Sequence, residues 1–209
     1  GFDQVEFVQR TSEVNTAVLL GNAEADISLA LTPSALLEMD AGKPVVLLAG
    51  GHVGCYELFT PPHIRAVREL KGKAISIPRR DGGGHIIAQM ILSNIGIDPH
   101  KDVEWRIDRW ADVPRLLGEA KIDAYIGFPP EPQELRARKI GHVILNTRED
   151  RPWSQYFCCS VAGHREFVRK HPIATKRALR AILKGIEICA SDPEFAARAA
   201  ATHNPRAKL

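Results

Sequence analysis

The sequence predicts an α/β fold in which most strands run parallel. Short runs of β-forming residues alternate with stretches of helical periodicity, and this order is typical of βαβ units. Helix-start signals follow two of the β-type runs, at Thr32-Pro33-Ser34 directly and in the glycine run 82–84 after a short turn. With 209 residues, of which 44% are hydrophobic and 25% charged, the chain can bury the core of one domain or of two small lobes.

In the first half of the chain, each β-type run ends at a turn or at a helix signal. The predicted strands are residues 5–8, 26–31, 44–49 and 74–77, with a longer extended segment over residues 52–60. The predicted helices are residues 11–22, 32–42 and 86–95. Ser12 and Thr32 are candidate N-caps, because a hydroxyl there can accept from the free N–H groups of the first turn, and Pro33 suits the first helical position.

In the second half of the chain, predicted strands and helices continue to alternate, and the last part is predicted to be helical. Strands are predicted at residues 103–107, 124–126 and 143–145, with an extended segment over residues 155–161. Helices are predicted at residues 111–119, 165–170, 173–191 and 193–202. Because parallel strands need a crossover connection, strands separated by helices favour a mostly parallel sheet.

The two helix-start signals predict a ligand-binding cleft. Parallel strands followed by helices place helix N-termini at the carboxyl ends of the strands, where ligands bind in such folds. Thr32 and Ser34 offer hydroxyls at one start; plain capping is the alternative there. Gly83 and Gly84 expose backbone N–H groups at the other, where the helix end adds about half a positive charge and His85 could donate to the same group; a mobile loop is the alternative. Together the two helix N-termini predict a cleft with backbone N–H donors on both of its walls.

Five further residues are candidate contacts of this cleft: His52, Phe128, Glu131, Trp153 and Tyr156. The histidine begins the long extended segment after two glycines, and an ordinary polar loop residue is the alternative. The phenylalanine and the carboxylate are expected to point outward from a proline-rich strand end, which could instead be a structural turn. Aromatic rings beside a cleft stack on flat ligands. Core packing is the alternative, and it is the favoured interpretation for Phe157.

The four cysteines indicate neither a metal site nor a thiol enzyme. Cys55, Cys158, Cys159 and Cys189 lack metal-ligand spacing. Neighbouring cysteines in a strand point to opposite faces, so at most one of the adjacent pair can face a cleft, and small buried residues are the favoured interpretation. Whether the first cysteine lies near one of that pair stays open, as does any disulfide.

Several function classes are disfavoured by composition and motif content. A net charge of +3, with 28 Lys and Arg spread along the chain, argues against a nucleic-acid-binding protein. No apolar run approaches the roughly 20 residues of a membrane span. No paired-carboxylate, G-x-S-x-G or H-E-x-x-H motif is present. We therefore expect a protein that holds a small molecule, with no catalytic residue, no resident metal and no cofactor.

A series of short motifs resembles one family. In order, they are residues 21–27 (GNAEADI), 32–34 (TPS), 40–46 (DAGKPVV), 70–73 (LKGK), 118–124 (GEAKIDA) and 167–172 (FVRKHP). The chain resembles the substrate-binding proteins of ABC importers, in the SsuA/THI5-like (NMT1-like) group. This group is named for sulfonate-, nitrate- and taurine-binding proteins and for the yeast-type pyrimidine-precursor synthase.

The resemblance implies a type II periplasmic-binding-protein fold, in which two α/β lobes joined by crossing strands close on a ligand. Lobe I would contain residues 1–64 and 150–209, lobe II would contain residues 65–149, and the chain would be truncated at both ends. The implied function is a receptor in the periplasm, or lipid-anchored at the extracellular face through a missing N-terminus. Its implied partners are a small-molecule ligand and the permease and ATPase subunits.

The same resemblance suggests a range of ligands. Sulfonates, nitrate-like anions, pyrimidine precursors and aromatic acids are the candidates. The glycine loop replaces a serine-rich version in sulfonate binders, and Phe128 stands where the family often has tryptophan. The glycine loop favours a flatter heterocycle or an aromatic acid over a sulfonate, and the phenylalanine implies a different tail on the ligand.

Two alternatives remain. The first is a pyrimidine-precursor (HMP phosphate) synthase-like enzyme of the THI5 type, which would use His52 or His85 with pyridoxal phosphate and iron. The chain lacks a recognisable cofactor lysine, and Phe157-Cys158-Cys159 matches the cysteine motif of those enzymes only in part. The second is the effector-sensing domain of a regulator, which would need a DNA-binding segment.

Overall fold

The computed structural model describes residue 2, residues 4–8 and residues 15–203. Its strands are β1 Ile27–Leu31, β2 Val45–His52, β3 Glu57–Thr60, β4 Lys73–Ile77, β5 Val103–Ile107, β6 Ala124–Gly127, β7 His142–Asn146 and β8 Cys159–His164. Its α-helices are α1 Thr16–Gly21, α2 Thr32–Asp40, α3 Gly83–Asn94, α4 Val113–Gly118, α5 Glu131–Ala137, α6 Arg165–Lys170, α7 Pro172–Ser191 and α8 Pro193–His203. Two 3₁₀ turns, Val67–Leu70 and Trp153–Gln155, complete the regular structure of the described residues.

The strands form two separate sheets. The three-stranded sheet has the order β1-β8-β2, with β8 antiparallel to both neighbours. The five-stranded sheet has the order β5-β4-β6-β3-β7. Within it, β4 is parallel to β5 and β6, whereas β3 is antiparallel to β6 and β7.

The expectation of mostly parallel pairing is therefore wrong for both sheets. The antiparallel pairs all involve β3 or β8, the two strands that follow the connections between the sheets. Each of these strands enters from the other sheet through a connection without an α-helix, whereas parallel neighbours in one sheet need a crossover. Helical crossovers do join β4, β5 and β6, and these are the strands that pair in parallel.

Helix α3 and the five-stranded sheet form the largest core. Ile87, Ala88, Ile91 and Leu92 follow helical spacing and are buried with Ile75 and other strand residues. The opposite face of the sheet carries a second cluster, which includes Phe59, Leu117 and Tyr125. A smaller cluster beneath the three-stranded sheet consists mainly of small side chains: Ala17, Leu20, Ala30, Ala35, Val45 and Ala162.

The predicted elements at the start of the chain differ from the structure. Residues 4–8 form no strand, and Val5 and Phe7 are exposed. No strand of the described residues pairs with them, and an isolated extended segment has no ladder to hold it. Helix α1 begins at Thr16 rather than residue 11, and the Asn15 side chain caps it by accepting from Ala17 N at 3.0 Å. The candidate cap Ser12 lies outside the described residues.

Strand β3 also differs from its predicted assignment. The expected boundary at residue 64 placed residues 57–60 with the first lobe, but they pair with β6 and β7. The connections between the two sheets are therefore residues 53–56 and 147–158. Of the helices in the described part of the chain, none is both long and apolar enough for a bilayer span.

Candidate functional site

A cavity of about 280 Å³ lies between α2 and α3, beside both connections. Its wall consists of Pro33, Gly54, Ile87, Met90, Asn94, Thr147, Pro152, Trp153, Tyr156, Phe157 and Cys158. Pro33 follows a strand of one sheet, α3 follows a strand of the other, and the remaining residues belong to the connections. The cavity is therefore formed by both halves of the fold.

The hydroxyls at the start of α2 are directed into the fold. Leu31 occupies the cap position, and no side chain accepts from the first turn, so the prediction of Thr32 as the cap is wrong. The Thr32 hydroxyl instead lies 2.8 Å from the hydroxyl of Ser160 on β8, and Thr32 N donates to Cys158 O at 2.8 Å. Ser34 is buried, and Pro33 lines the cavity. The start of α2 is thus fastened to β8.

The glycines at the start of α3 make room for a tyrosine. Gly82 is the N-cap, and the helix begins at Gly83. A Cβ on Gly83 would lie 2.1 Å from the Tyr56 hydroxyl oxygen, and a Cβ on Gly84 would lie 3.3 Å from Cγ2 of Ile126. Tyr56 is buried, and this burial raises the pKa of its hydroxyl, which therefore stays protonated. Its ring covers the N-terminus of α3.

His85 is directed into the core of the five-stranded sheet. Its Nδ1 accepts from Asp81 N at 3.0 Å, and its ring meets Trp105 edge-on with centroids 4.6 Å apart. Its Nε2 is buried without a hydrogen-bond partner among the described residues. Burial lowers the pKa of His85, although the Asp81 carboxylate opposes that shift. The imidazole is held neutral and packs beside the tryptophan.

Phe128 and Glu131 follow β6, but only the ring is exposed. The Glu131 carboxylate accepts from the Tyr125 hydroxyl at 2.5 Å and from Phe128 N at 3.2 Å. Burial raises the pKa of Glu131, and these hydrogen bonds oppose that shift. Phe128 lies 5.4 Å from the Tyr56 ring, centroid to centroid. The carboxylate therefore stabilises the turn, and the expectation that it points outward is wrong.

The aromatic residues before β8 form the outer wall of the cavity. Trp153 is half-buried against the large core, whereas Tyr156 is 65% exposed. Phe157 is 54% exposed, so its expected core position is wrong. Its ring covers the backbone of Gly50, where a Cβ would lie 2.3 Å from the ring. Only a glycine at that position leaves room for the ring.

His52 and three cysteines meet where the two connections cross. The Sγ atoms of Cys55 and Cys159 are 3.7 Å apart, and His52 Nδ1 lies 3.8 Å from Cys55 Sγ. Hydrogen bonds with the thiols of Cys158 and Cys55 lower the pKa of Cys159, and a hydrogen bond with Cys159 raises the pKa of His52. Cys55 therefore lies beside Cys159, a proximity that the spacing in sequence left open.

Hydrogen bonds hold the two connections together on the cavity side. Thr147 donates from both its N–H and its hydroxyl to Tyr56 O, at 3.0 and 2.9 Å, and Tyr56 N donates back to the Thr147 hydroxyl at 3.0 Å. Cys158 N donates to His52 O at 2.9 Å. The crossing is therefore a defined structural unit beneath the cavity.

A second, more polar cavity of about 610 Å³ lies along the outer face of α3. It is lined by Asn15, Val18, Leu37, Glu38, Arg79, Asp81, Ile86, Gln89, Met90, Ser93, Pro99 and His100. None of the predicted site residues belongs to this wall. Met90 lines both cavities and separates them.

The structure thus brings together Pro33, Trp153 and Tyr156 of the predicted site residues. Sequence reasoning missed the wall contributed by α3, which is Ile87, Met90 and Asn94. Their spacing of three and four residues places them on one helix face, and this signal was available in the sequence. Tyr56 and Thr147 carry no comparable signal, because their roles depend on contacts between distant segments.

Comparison with known proteins gives one family and one fold. A family model described as "NMT1/THI5 like" matches residues 4–196. No curated protein sequence matches the chain.

Three solved structures illustrate the likeness. The Escherichia coli periplasmic aliphatic sulphonate-binding protein SsuA is 14% identical with a TM-score of 0.71, over 90% of this chain and 60% of its own. The alkanesulfonate-binding protein SsuA from Xanthomonas axonopodis pv. citri, bound to MOPS, is 14% identical with a TM-score of 0.69. The match covers 91% of this chain and 65% of the Xanthomonas protein. The periplasmic nitrate-binding protein NrtA from Synechocystis PCC 6803 is 18% identical with a TM-score of 0.64. The match covers 89% of this chain and 54% of NrtA. The chain thus has their fold over less than two thirds of their length.

Proposed function

Because the chain belongs to the NMT1/THI5-like family, we propose that it is the solute-binding receptor of an ABC importer. The resemblance inferred from the sequence motifs, and the type II periplasmic-binding-protein fold that it implied, are confirmed. The observation that carries the proposal is the cavity between α2 and α3, whose wall is shared by both sheets and both connections. A ligand held there contacts residues of both halves of the fold and of both connections, so its binding can favour closure.

The ligand is a small, flat molecule with a hydrogen-bonding group. Its cavity of about 280 Å³ is near the lower end of the range for small-molecule sites. The wall is mainly aromatic and aliphatic, and its side-chain hydrogen-bonding groups include those of Asn94, Thr147, Trp153 and Tyr156. None of the described residues that line it is a lysine, arginine or histidine. Since a buried anion without a partner is costly, a heterocycle or neutral aromatic compound fits better than a free sulfonate or nitrate.

The predicted contacts are divided between this cavity and its surroundings. Trp153 and Tyr156 form the aromatic wall, and Pro33 closes the α2 side. Donation from the N–H groups of Gly83 and Gly84 stays a prediction, and it requires the Tyr56 ring to move aside. His85 acts through the stability of its loop rather than by contact with the ligand.

We assign the remaining roles by the same proposal. The three-stranded and five-stranded sheets would be the cores of lobe I and lobe II, and residues 53–56 and 147–158 would form the hinge. The receptor would act on the periplasmic side and deliver its ligand to permease and ATPase subunits. We assign no catalytic residue, and no observation favours the synthase alternative.

Ligand screening tests the proposal. Purified protein is heated with pyrimidines, aromatic acids, alkanesulfonates and nitrate, and compounds that raise the melting temperature are then titrated by calorimetry. We expect a heterocyclic or aromatic compound to bind. If nothing in these classes binds, the receptor proposal fails.

A substitution at the outer wall tests where that compound binds. Tyr156→Ala should weaken binding about tenfold, because one lost aromatic contact costs about 1.4 kcal/mol. Tyr156→Phe keeps the ring and should retain most of the affinity. Phe195→Ala, at an exposed ring on α8, is the matched control and should change nothing. An affinity that is unchanged in Tyr156→Ala would place the ligand elsewhere.

A further inference from the structure

We propose that His52, Cys55 and Cys159 form a binding site for a thiophilic divalent metal ion, with Zn²⁺ as the expected ion. The site goes beyond the receptor function and does not depend on it. The nitrogen and sulfur ligand atoms of these three residues all lie within 4.8 Å of one another.

The distances match a tetrahedral zinc site. Zn–S bonds of about 2.3 Å and Zn–N bonds of about 2.0 Å, at tetrahedral angles, separate two sulfurs by about 3.8 Å and a sulfur from a nitrogen by about 3.5 Å. The Cys55 and Cys159 sulfurs are 3.7 Å apart, and Cys55 Sγ lies 3.8 Å from His52 Nδ1. These two distances are within a few tenths of an ångström of the values for a zinc site, and the distance from His52 to Cys159 is within 4.8 Å.

The backbone keeps the three ligands in place. His52 ends β2 and is the register partner of Cys159, the first residue of β8. Cys158 N donates to His52 O at 2.9 Å beside this pair. Cys55 follows in the connection to β3 and is buried. Two strands and one connection thus hold the ligands before any ion binds, which reduces the entropy cost of binding.

The chemistry of the group favours a metal over a simple thiol pair. Two sulfurs and an imidazole are the donors that Zn²⁺ prefers, whereas a disulfide needs no histidine. His52 is exposed, so an ion can reach the site from solvent. Three protein ligands leave a fourth tetrahedral position, which water can take. A bound ion would join the two connections between the sheets.

Metal titration of the reduced protein tests the site. The full chain is reduced, freed of metal by chelation and titrated with Zn²⁺ against a chromophoric competitor, and Co²⁺ is added as a spectroscopic probe. We expect one ion per chain and a thiolate-to-cobalt charge-transfer band. No Zn²⁺ uptake by the folded, reduced chain would overturn the proposal.

Variants assign the ligands. Cys55→Ser, Cys159→Ser and His52→Ala should each weaken Zn²⁺ binding about 100-fold or more, since even the loss of an outer-shell partner costs about 10- to 100-fold. Cys189→Ser, at an exposed cysteine on α7, should bind like the original chain. Circular dichroism of the metal-free variants verifies that they fold. Binding that survives all three ligand substitutions overturns the assignment. So does a Cys55–Cys159 disulfide, found by mass spectrometry, in protein that takes up no metal after reduction.

Discussion

Helix α2 begins directly after β1 and helix α3 follows β4 after five residues, yet their first turns are packed by opposite means. At α2, the first side chain of the helix points into the fold, where the Thr32 hydroxyl meets Ser160 on β8. At α3, the helix has no side chain at its first two positions, and Tyr56 approaches its backbone from the connection between the sheets. The start of α2 is therefore held by a pair of hydroxyls, and the start of α3 by the packing of the Tyr56 ring against Gly83.

This difference shows that a glycine run before a helix need not expose the backbone to a ligand. The room that Gly83 provides is filled by Tyr56, which belongs to the crossing segment. The start of α3 is therefore coupled to the connection that must bend if the lobes move. A ligand in the neighbouring cavity can act on α3 through its second and third turns, at Ile87 and Met90.

The largest expected effect comes from adding one methyl group at the start of α3. Gly83→Ala places a Cβ 2.1 Å from the Tyr56 hydroxyl oxygen and 2.9 Å from Cδ2 of Leu31, so the buried ring must shift. Overpacking of this kind costs about 1–3 kcal/mol. Gly84→Ala is the matched control, because its nearest contact is 3.3 Å, and it should cost much less. Urea unfolding measures both.

A double-mutant cycle sharpens the same comparison. Tyr56→Phe removes the hydroxyl that the new Cβ would meet, so it should recover part of the loss in Gly83→Ala. Equal losses for Gly83→Ala in the two backgrounds would show that the tyrosine does not set the packing of this turn.

A smaller effect is expected at the start of α2. Thr32→Val keeps the shape of the side chain but removes the 2.8 Å contact with the Ser160 hydroxyl, which should cost about 1 kcal/mol in the free energy of unfolding. Thr32→Ser retains the hydroxyl and is the control. In a Ser160→Ala background, Thr32→Val should cost less, because the partner is already lost. Additive losses would mean that the two hydroxyls do not share a bond.

The local signals in the sequence predicted the elements around both helix starts. Strand β4 was expected at residues 74–77 and spans Lys73–Ile77, and α3 was expected at residues 86–95 and spans Gly83–Asn94. These elements follow from periodicity and turn residues, which act over a few positions. The insertion of β3 and β8 as antiparallel strands was not predicted, because pairing depends on segments far apart in the chain.

The same limit applies to the candidate site. Pro33, Trp153 and Tyr156 line the cavity, since their positions follow from the ends of the predicted elements. The direction of the His85 ring depends on Trp105, twenty positions later, and the packing against Gly83 depends on Tyr56. Side-chain orientation at a helix start is a tertiary property that no short motif determines.

The smallest expected effect is a pH dependence of stability that arises at the start of α3, from His85, and has no counterpart at the start of α2. Burial lowers the pKa of His85 below its ordinary value of 6.5, against the opposing Asp81 carboxylate and with Arg80 and His100 nearby. As the pH falls, the unfolded chain therefore takes up a proton on His85 near pH 6.5, before the folded chain does. The free energy of unfolding is highest above that pH and decreases as the pH falls toward the pKa of the folded chain. Melting temperatures measured between about pH 7.5 and pH 5.5 should decrease less steeply in His85→Gln than in the original chain. Thr32→Val should keep the original slope, because α2 has no titrating group at its start. A His85→Gln profile as steep as the original would assign the pH dependence to other groups and leave the two helix starts electrostatically alike.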